Sequence, residues 1–275
     1  MEEKYQLTKI RKEIFLTAYH GNSSAAHLAS AYSVVEILYT LYCKGILNYK
    51  ASEPQWRDRD RLILSKGHAS LALYSILAQV GFFDREILKT FCFPDSFLGG
   101  EPNMLEVPGV EATTGALGHG LSYGIGIALG LKMNQNCAKV YVVIGDGECQ
   151  EGSIWEGIMS AYRYQLDNLI VIMDCNKMQK MDSVQNIMQI DEWQKKWASF
   201  GWAVDIVDGH NVKELQQCMQ KKMVKGIPRL IIANTVKGYG VSIMENHADW
   251  HYKMPRKKEL KVFMAELGIS QEDLS

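Results

Sequence analysis

The chain has 275 residues, of which 47% are hydrophobic and 22% are charged, and its formal net charge is -1. That length and apolar content are sufficient to bury a sizeable core. The near-zero net charge excludes the long-range attraction that draws proteins to nucleic acid or to anionic membranes.

Cysteine spacing and the N-terminal residues bear on the cellular compartment. None of the six cysteines forms a C-x-x-C pair, so neither a zinc site nor a disulfide framework is indicated. The first residues, MEEKYQLTKIRKE, are charged and lack the apolar stretch of a signal peptide. No window is long and apolar enough to span a bilayer. We therefore expect a soluble protein of the cytoplasm.

Helical periodicity marks the first elements. Apolar residues recur at helical spacing near the N-terminus, at Leu7, Ile10, Ile14 and Ala18. This spacing predicts an amphipathic opening helix, and a second helix is predicted over residues 33–42. Residues 61–65 form a short apolar run that ends in Lys-Gly-His, which indicates a strand, a tight turn and a helix over residues 71–80. Gly81 is expected to end that helix and Asp84 to cap the next one.

The middle of the chain predicts a strand–helix–strand unit. Residues 139–144 (KVYVVI) form a continuous β-branched run, as in a strand covered on both faces. Gly-Asp-Gly follows, then a helical stretch over residues 154–164. Residues 169–174 (LIVIMD) form a second strand of the buried type. Such a unit predicts parallel strands joined by a right-handed crossover.

Further alternation sets the fold class. Residues 203–207 and 229–233 are strand candidates, with a helix predicted over residues 212–223 between them. This pattern predicts an α/β fold with an open, mostly parallel sheet and helices on both faces. Ligands of such sheets bind beyond the carboxyl ends of the strands, near a topological switch point. The turn at residues 145–147 and Asn176 both fall at such ends, so we expect them to lie together.

These two positions carry the residue types of a magnesium site. Mg²⁺ prefers oxygen ligands in octahedral geometry, often completed by phosphates. Asp146 supplies a carboxylate and Asn176 an amide carbonyl, and the main-chain carbonyl of Met178 is a third candidate. Gly147 has no side chain, so its N–H can approach a phosphate closely. A Gly-Asp-Gly triplet alone is usually only a turn, but the ordered strand, turn, helix, strand and Asn are far more specific.

Several segments around this pattern resemble the transketolase family. The resemblance extends from about His27 to His251, and the strand-GDG-E … DxN order resembles its thiamine-diphosphate motif. The matching segments are residues 61–77 (RLILSKGHASLALYSIL), 112–130 (ATTGALGHGLSYGIGIALG), 174–182 (DCNKMQKMD) and 235–251 (TVKGYGVSIMENHADWH). The last two are most similar to the N-terminal subunits of split transketolases. The resemblance implies that residues 1–275 form a single diphosphate-binding domain with N-terminal helices and a C-terminal tail.

The resemblance also implies cofactors and the residues that hold them. Thiamine diphosphate would bind with Mg²⁺, for which Ca²⁺ or Mn²⁺ substitutes, and Asp146, Asn176 and the Met178 carbonyl would hold the metal. The remaining cofactor-binding positions fall in the same matched segments: His68, Gly115, Leu117, Gly145, Gly147, Glu148 and His251. Of these, Gly147 and the two histidines would contact the diphosphate or the thiazolium, whereas Gly115 and Leu117 would line the aminopyrimidine pocket.

Catalytic roles carry over to five positions: His27, His68, Glu101, Glu151 and His251. His27 would orient the sugar and move protons, and Glu151 would join a carboxylate network between subunits. A histidine alone is often only a packing residue. The position of these three histidines inside matched segments favours the functional interpretation, whereas His20, His119, His210 and His247 keep the packing one.

The chain departs from the family pattern at two places. Ala26-His27-Leu28-Ala29 replaces the usual Gly-His-Pro-Gly, and Gly100-Glu101-Pro102 replaces Gly-His-Pro. An ionised carboxylate accepts hydrogen bonds, whereas an imidazole also donates them and can carry positive charge. We therefore hypothesise an altered donor or acceptor sugar, with cofactor binding retained.

The family needs a second α/β domain, which supplies the acid and the aromatic pocket around the pyrimidine. After Trp250 this chain has only a charged, helix-like tail. We therefore expect a partner, a C-terminal transketolase subunit that carries the pyrimidine-binding domain, in an α2β2 assembly with an apolar interface. No nucleic acid or membrane partner is expected.

The function implied is a transketolase-like transfer of a two-carbon ketol unit from a ketose, or its phosphate, to an aldose acceptor. Cofactor chemistry would stabilise the carbanion, and protein groups would supply orientation and proton transfer. Two alternatives stay open: a thiamine carboligase with another donor, and a partner subunit that binds the cofactor without turnover. A Rossmann dehydrogenase is disfavoured, because no G-x-G-x-x-G opens a helix after an early strand.

Overall fold

A computed structural model describes residues 2–180 and 182–275. Its centre is a sheet of parallel strands in the order β1-β2-β3-β5-β4. The strands are β1 Arg61–Leu64, β2 Val140–Gly145, β3 Leu169–Cys175, β4 Ala203–Asp208 and β5 Arg229–Asn234. All of them were predicted within one or two residues of these bounds. The open parallel sheet expected from the alternation of elements is confirmed.

Helices fill the connections between the strands. The α-helices are α1 Glu2–His20, α2 Leu28–Tyr32, α3 Val35–Cys43, α4 Ser70–Gln79, α5 His119–Met133, α6 Gly152–Arg163, α7 Val184–Ile187, α8 Trp193–Ser199, α9 Val212–Met219 and α10 Lys257–Leu267. Short 3₁₀ turns include Gly67–Ala69, Arg85–Thr90, Gly147–Gln150 and Ala248–His251. Within the described ranges, no helix has the length and apolar character needed to cross a membrane.

Successive residues of the buried strands pack alternately into two separate hydrophobic cores, one on each face of the sheet. Leu62 and Leu64 of β1 pack into one core with α1 to α4, α9 and α10. Ile63, between them, packs into the other core with α5, α6 and α8. Side chains of a strand alternate between the two faces of its sheet, so a continuous apolar run covers both. Helices on both faces are therefore the consequence of runs such as residues 139–144.

The chain leaves β1 and β2 toward opposite faces of the sheet, and likewise β3 and β5. The helices that follow β2 and β3, α6 and α8, pack on one face. The helices that follow β1 and β5, α4 and α10, pack on the other. The loops at the carboxyl ends of these strands therefore diverge and leave a crevice between them, which is where ligands of open α/β sheets bind.

Two predicted elements differ in detail. The helix predicted over residues 212–223 ends at Met219, and Lys221, just beyond it, pairs with Asp205 of β4. Asp84 caps a helix as expected, and its side chain accepts from the Glu86 N–H at 2.9 Å, but the element is the 3₁₀ helix Arg85–Thr90.

Two glycines of α5 give a matched test of packing against the sheet. A Cβ atom on Gly120 would lie 2.3 Å from Ser65 Oγ and 2.7 Å from Ser65 Cα, whereas one on Gly126 would meet nothing within 4 Å. Alanine favours a helix over glycine by about 1 kcal/mol, so Gly126→Ala should raise the free energy of unfolding by about that amount. Gly120→Ala should lower it by about 1–3 kcal/mol, because backbone cannot yield to the new methyl group. Urea unfolding of both variants measures the difference, and equal effects would contradict the packing described.

Candidate functional site

A cavity of about 470 Å³ opens at the carboxyl ends of the strands. It is lined by every position that the sequence singled out: His27, His68, Glu101, Gly115, Leu117, Gly145, Asp146, Gly147, Glu148, Glu151, Asn176, Met178 and His251. The loops after β1, β2, β3 and β5 all contribute, together with the connection between α4 and α5. A larger groove, between α1 and α10, contains none of these residues.

Asp146, which directly follows β2, is a buried carboxylate with main-chain partners. Its Oδ1 atom accepts from the Gly147 N–H at 2.8 Å and its Oδ2 atom from the Lys177 N–H at 2.6 Å. Within residues 2–180 and 182–275, no cationic side chain forms an ion pair with it. Burial, with the negative charge of Asp174 nearby, raises the pKa of Asp146 to about 7. Such a group is suited to a cation that supplies the missing positive charge.

Asn176, after β3, is held in one orientation by Asp174. Its Nδ2 atom donates to Asp174 Oδ2 at 2.8 Å, and its Oδ1 atom accepts from the Met178 N–H at 3.0 Å. A carboxylate can only accept and an N–H can only donate, so the two partners decide which end of the amide is oxygen. The Asn176 carbonyl oxygen therefore points toward the turn that carries Met178.

The turn at Met178 presents a main-chain carbonyl. Met178 and Ser183 form an isolated antiparallel bridge, flanked by the bonds from Gln179 N to Asp182 O and from Val184 N to Lys177 O. In a pair flanked in this way, the N–H and C=O of the central residue point outward. The Met178 N–H bonds to Asn176, so its carbonyl faces the same side.

A carboxylate, an amide oxygen and a main-chain oxygen thus face one corner of the cavity. Among the described residues, no group of three or more His, Cys, Asp or Glu is arranged to hold a metal. The available donors are therefore oxygens of mixed type, which suit Mg²⁺ or Ca²⁺ rather than zinc. The uncompensated carboxylate of Asp146 makes this corner fit the expected cation.

Three imidazoles that line the same cavity form a triangle. The ring centroids are 5.7 Å apart for His27 and His68, 5.1 Å for His27 and His251, and 5.7 Å for His68 and His251. Burial, reinforced by Lys66 and the other two rings, holds the pKa of His68 well below its usual range. Burial, with the Lys237 charge next in effect, lowers the pKa of His251 to about 3. His68 and His251 are therefore neutral at pH 7, so each has one nitrogen that donates and one that accepts.

Two buried lysines of the cavity were missed by the sequence analysis. Lys66 pairs with Asp174. Lys237 is 2% exposed, donates to Gln179 O at 3.0 Å, and its Nζ lies 3.2 Å from His251 Nδ1. Burial and the nearby Lys66 charge lower the pKa of Lys237 to about 8. Both lysines follow predicted strands. The rule that polar residues at the carboxyl ends of parallel strands meet at the ligand site, which selected Asp146 and Asn176, could therefore have found them.

Other missed residues complete the lining: Ser30, Gln150, Gln179, Lys180, Ile187 and Tyr252. The Gln179 side chain lies over Gly147, where a Cβ atom would approach its Nε2 to 2.6 Å. The Tyr252 ring lies 4.3 Å from the His27 ring and 4.9 Å from Lys180 Nζ, measured to ring centroids. These contacts depend on how the loops fold back, for which no sequence signal exists.

Both carboxylate oxygens of Glu148 accept hydrogen bonds from neighbouring loops, so this side chain does not present a free carboxylate to the cavity. Its Oε1 atom accepts from Ser65 Oγ and from the Gly118 N–H, and its Oε2 atom accepts from the Gly145 N–H at 3.0 Å. Burial raises the pKa of Glu148. The carboxylate thus joins the loops after β1 and β2 to the start of α5. Glu151, by contrast, is exposed at the edge of the cavity.

Glu101 lies directly over Gly115. A Cβ atom on Gly115, whose φ is +138°, would fall 1.5 Å from Glu101 Oε2. Only glycine allows both the backbone angle and this approach. Burial raises the pKa of Glu101. The carboxylate that replaces the family histidine therefore reaches the position expected for the aminopyrimidine pocket.

Comparison with known proteins confirms the family resemblance. A family model described as transketolase, thiamine diphosphate binding domain, matches residues 16–274. The chain is 38% identical over 257 residues to one subunit of the apulose-4-phosphate transketolase of Actinobacillus succinogenes, covering 94% of this chain and 92% of that protein. It is 38% identical over 248 residues to 6-deoxy-6-sulfo-D-fructose transketolase subunit SqwG of a Clostridium species, covering 90% of each.

Solved structures agree with the fold. The transketolase of Pichia stipitis, crystallised with sedoheptulose-7-phosphate, superposes with a TM-score of 0.88 at 27% identity. The match covers 97% of this chain and 40% of that one. The chain therefore spans less than half the length of the Pichia transketolase, whereas it spans over nine-tenths of the Actinobacillus protein.

The raised pKa of Asp146 predicts a pH-dependent stability difference. A carboxyl whose pKa is higher in the folded state than in the unfolded one costs stability once pH exceeds its unfolded value near 4, and the cost grows until about pH 7. Without divalent cations, wild type should lose about 2–4 kcal/mol relative to Asp146→Asn between pH 4.5 and pH 8. Urea unfolding of both proteins across this range, with a chelator present, measures the change. A difference that is constant with pH would refute the assignment.

Proposed function

The chain belongs to the transketolase family as its thiamine diphosphate-binding part, and from that premise we propose that it transfers a two-carbon ketol unit from a ketose to an aldose. The observation that carries the proposal is the corner formed by Asp146, Asn176 and Met178. Three oxygen donors from two neighbouring strands face one cavity there. Three imidazoles, His27, His68 and His251, line the same cavity.

Asp146, Asn176 and the Met178 carbonyl would hold Mg²⁺, which would in turn bind the diphosphate. Gly147, His68 and His251 line the same cavity, and the Gln179 side chain, which covers Gly147, would move aside for a phosphate. Lys237 adds a cation whose charge a diphosphate would favour. When bound, thiamine diphosphate supplies the electron sink that makes cleavage of a C–C bond beside a carbonyl possible.

The neutral imidazoles of this chain suit proton transfer. The low pKa of His68 leaves its ring neutral, with one nitrogen that can take a proton from a sugar hydroxyl. The low pKa of His251 leaves that ring neutral too, but its Nδ1 atom faces Lys237 Nζ at 3.2 Å, so its Nε2 atom is the one that donates to the sugar. His27 lies within 5.7 Å of both rings, centroid to centroid. We propose that these three side chains orient the sugar and move its protons.

A second subunit is part of the proposal. The Actinobacillus and Clostridium relatives, matched over 92% and 90% of their length, are both named transketolase subunits. The Pichia transketolase, a longer chain, is matched over 40% of its length. We propose that this chain assembles with a C-terminal subunit that carries the pyrimidine-binding domain, as two copies of each, and that Glu151 lies at that interface.

The substrates proposed are sugars that carry an anionic group. The names of the two relatives specify a sugar phosphate and a sulfonated sugar. Lys180 lies at the cavity beside Tyr252 and supplies positive charge there. Glu101 distinguishes this cavity from one with a histidine in its place, because a carboxylate accepts from sugar hydroxyls, whereas an imidazole can also donate to them.

Turnover is expected only with the partner subunit. The purified chain should bind thiamine diphosphate with Mg²⁺ weakly and form no ketol-transfer product, because the acid that acts on the pyrimidine lies in the partner. Adding a C-terminal transketolase subunit that carries the pyrimidine-binding domain should restore transfer. Calorimetry gives the binding and a coupled sugar assay gives the turnover. Full activity of the chain alone would refute the half-site proposal.

Glu101 is expected to set donor preference. Glu101→His should change the ratio of kcat/KM values among ketose donors by about tenfold or more, since one altered hydrogen bond to a hydroxyl is worth roughly that factor. Glu106→His is the matched control, because Glu106 is exposed on the same connection and does not line the cavity. Unchanged donor ratios in Glu101→His would show that this position does not select the sugar.

A further inference from the structure

A buried charged cluster lies beneath the segment that carries Lys237. Arg11 of α1 donates from Nη2 to both carboxylate oxygens of Glu36 on α3, at 2.7 and 2.8 Å. Glu36 is 1% exposed, and His210 Nδ1 lies 3.0 Å from its Oε2 atom. Although burial opposes ionisation, Arg11 and His210 hold the pKa of Glu36 below its usual range. In the described structure, none of these three side chains lines the cavity.

The main chain decides which nitrogen of His210 carries the proton. The Val236 N–H donates to Nε2 at 2.8 Å, so Nε2 is an acceptor and Nδ1 donates to Glu36. The ring of Tyr239 stacks on the imidazole, with centroids 3.6 Å apart and an interplanar angle of 17°. His210 is thus fixed in one tautomer and connects Glu36 to Val236.

Arg11 provides a second connection to the same segment. Its Nε atom donates to Tyr239 O at 2.7 Å, and its guanidinium carbon lies 5.1 Å from the centroid of the Tyr239 ring. Gly240 passes so close that a Cβ atom would lie 2.8 Å from Arg11 Cδ. Val236 and Tyr239, on either side of Lys237, are therefore held by two side chains that both pair with Glu36.

We propose that Glu36 is a positioning residue for Lys237. Through Arg11 and His210 it fixes the main chain at residues 236–239, and this places the Lys237 ammonium beside His251 in the cavity. The inference rests on the proposed function for the identity of the ligand, a diphosphate with a divalent cation. Loss of the Glu36 carboxylate would leave Arg11 buried without its counter-charge and His210 without its acceptor, so both connections would weaken.

The test compares Glu36→Gln with Asp205→Asn. Asp205 accepts two bonds from Arg229, at 2.8 and 2.6 Å, near the amino ends of β4 and β5 and away from the cavity. Both variants remove the negative charge of an Arg–carboxylate pair, so a general loss of stability affects both. Amide hydrogen exchange is measured over residues 235–240, and calorimetry measures binding of inorganic diphosphate with Mg²⁺ to the chain.

Glu36→Gln should exchange faster over residues 235–240 and bind diphosphate about tenfold more weakly, as expected for the loss of one charge-assisted contact. Asp205→Asn should leave both values unchanged. In a Lys237→Met background, Glu36→Gln should cause no further loss of affinity, because its effect passes through the lysine. Wild-type exchange and affinity in folded Glu36→Gln, or an equal loss in the Lys237→Met background, would overturn the proposal.

His210→Ala keeps the test decisive if Glu36→Gln does not fold. This variant leaves the Arg11–Glu36 pair in place and removes the bond to Val236 and the stack on Tyr239, so the same changes should appear with smaller size. Exchange and affinity at wild-type values in folded His210→Ala would equally overturn the proposal. Failure of the wild-type chain to bind diphosphate would instead contradict the proposed function. The hydrogen-exchange comparison would then still test whether Glu36 fixes the main chain over residues 235–240.

Discussion

Two buried carboxylates stand side by side where β2 and β3 end, and the site is arranged around the difference between them. In the parallel register, Gly145 at the end of β2 lies opposite Asp174 of β3. Asp146 is the next residue after Gly145, so its carboxylate lies close to that of Asp174. Asp174 is fully buried and accepts from Lys66, Ser33, Thr235 and Asn176. Asp146 has only main-chain donors. A buried carboxylate needs a counter-charge, and only one of these two has it from the protein.

Asp174, whose charge is paired within the protein, arranges the groups around Asp146 so that Asp146 can bind the proposed cation. Asp174 fixes the Asn176 amide, pairs with Lys66 and connects β5 to β3 through Thr235. Such a network is favourable only when every member is satisfied. Its rigidity determines where the Asn176 oxygen points, and hence whether three oxygens can face one cation. The positions of the three proposed ligand oxygens therefore depend on Asp174 and its partners as well as on the ligand residues themselves.

The sequence predicted the parts of this arrangement that follow from strand ends. Asp146 and Asn176 were found because continuous apolar runs identify buried strands, and parallel strands bring their carboxyl ends together. His68 was found only through the family resemblance of its segment. Asp174 and Lys237 lay in the same stretches and were passed over, since their roles depend on pairings between side chains far apart in sequence. Lys66 and Asp174, for instance, are separated by 108 residues. The approach of Tyr252 to His27 depends on a long loop that no local pattern specifies.

The two perturbed groups of the cavity are complementary to the proposed ligand. Burial raises the pKa of Asp146 to about 7 and lowers the pKa of Lys237 to about 8, so in each case the protein alone disfavours the charged form. A divalent cation beside Asp146 would favour the carboxylate, and a diphosphate beside Lys237 would favour the ammonium. The same burial that penalises each charge strengthens its attraction to an opposite charge. Cation and diphosphate therefore suit this cavity best as a pair, because each offsets a cost that the other leaves in place.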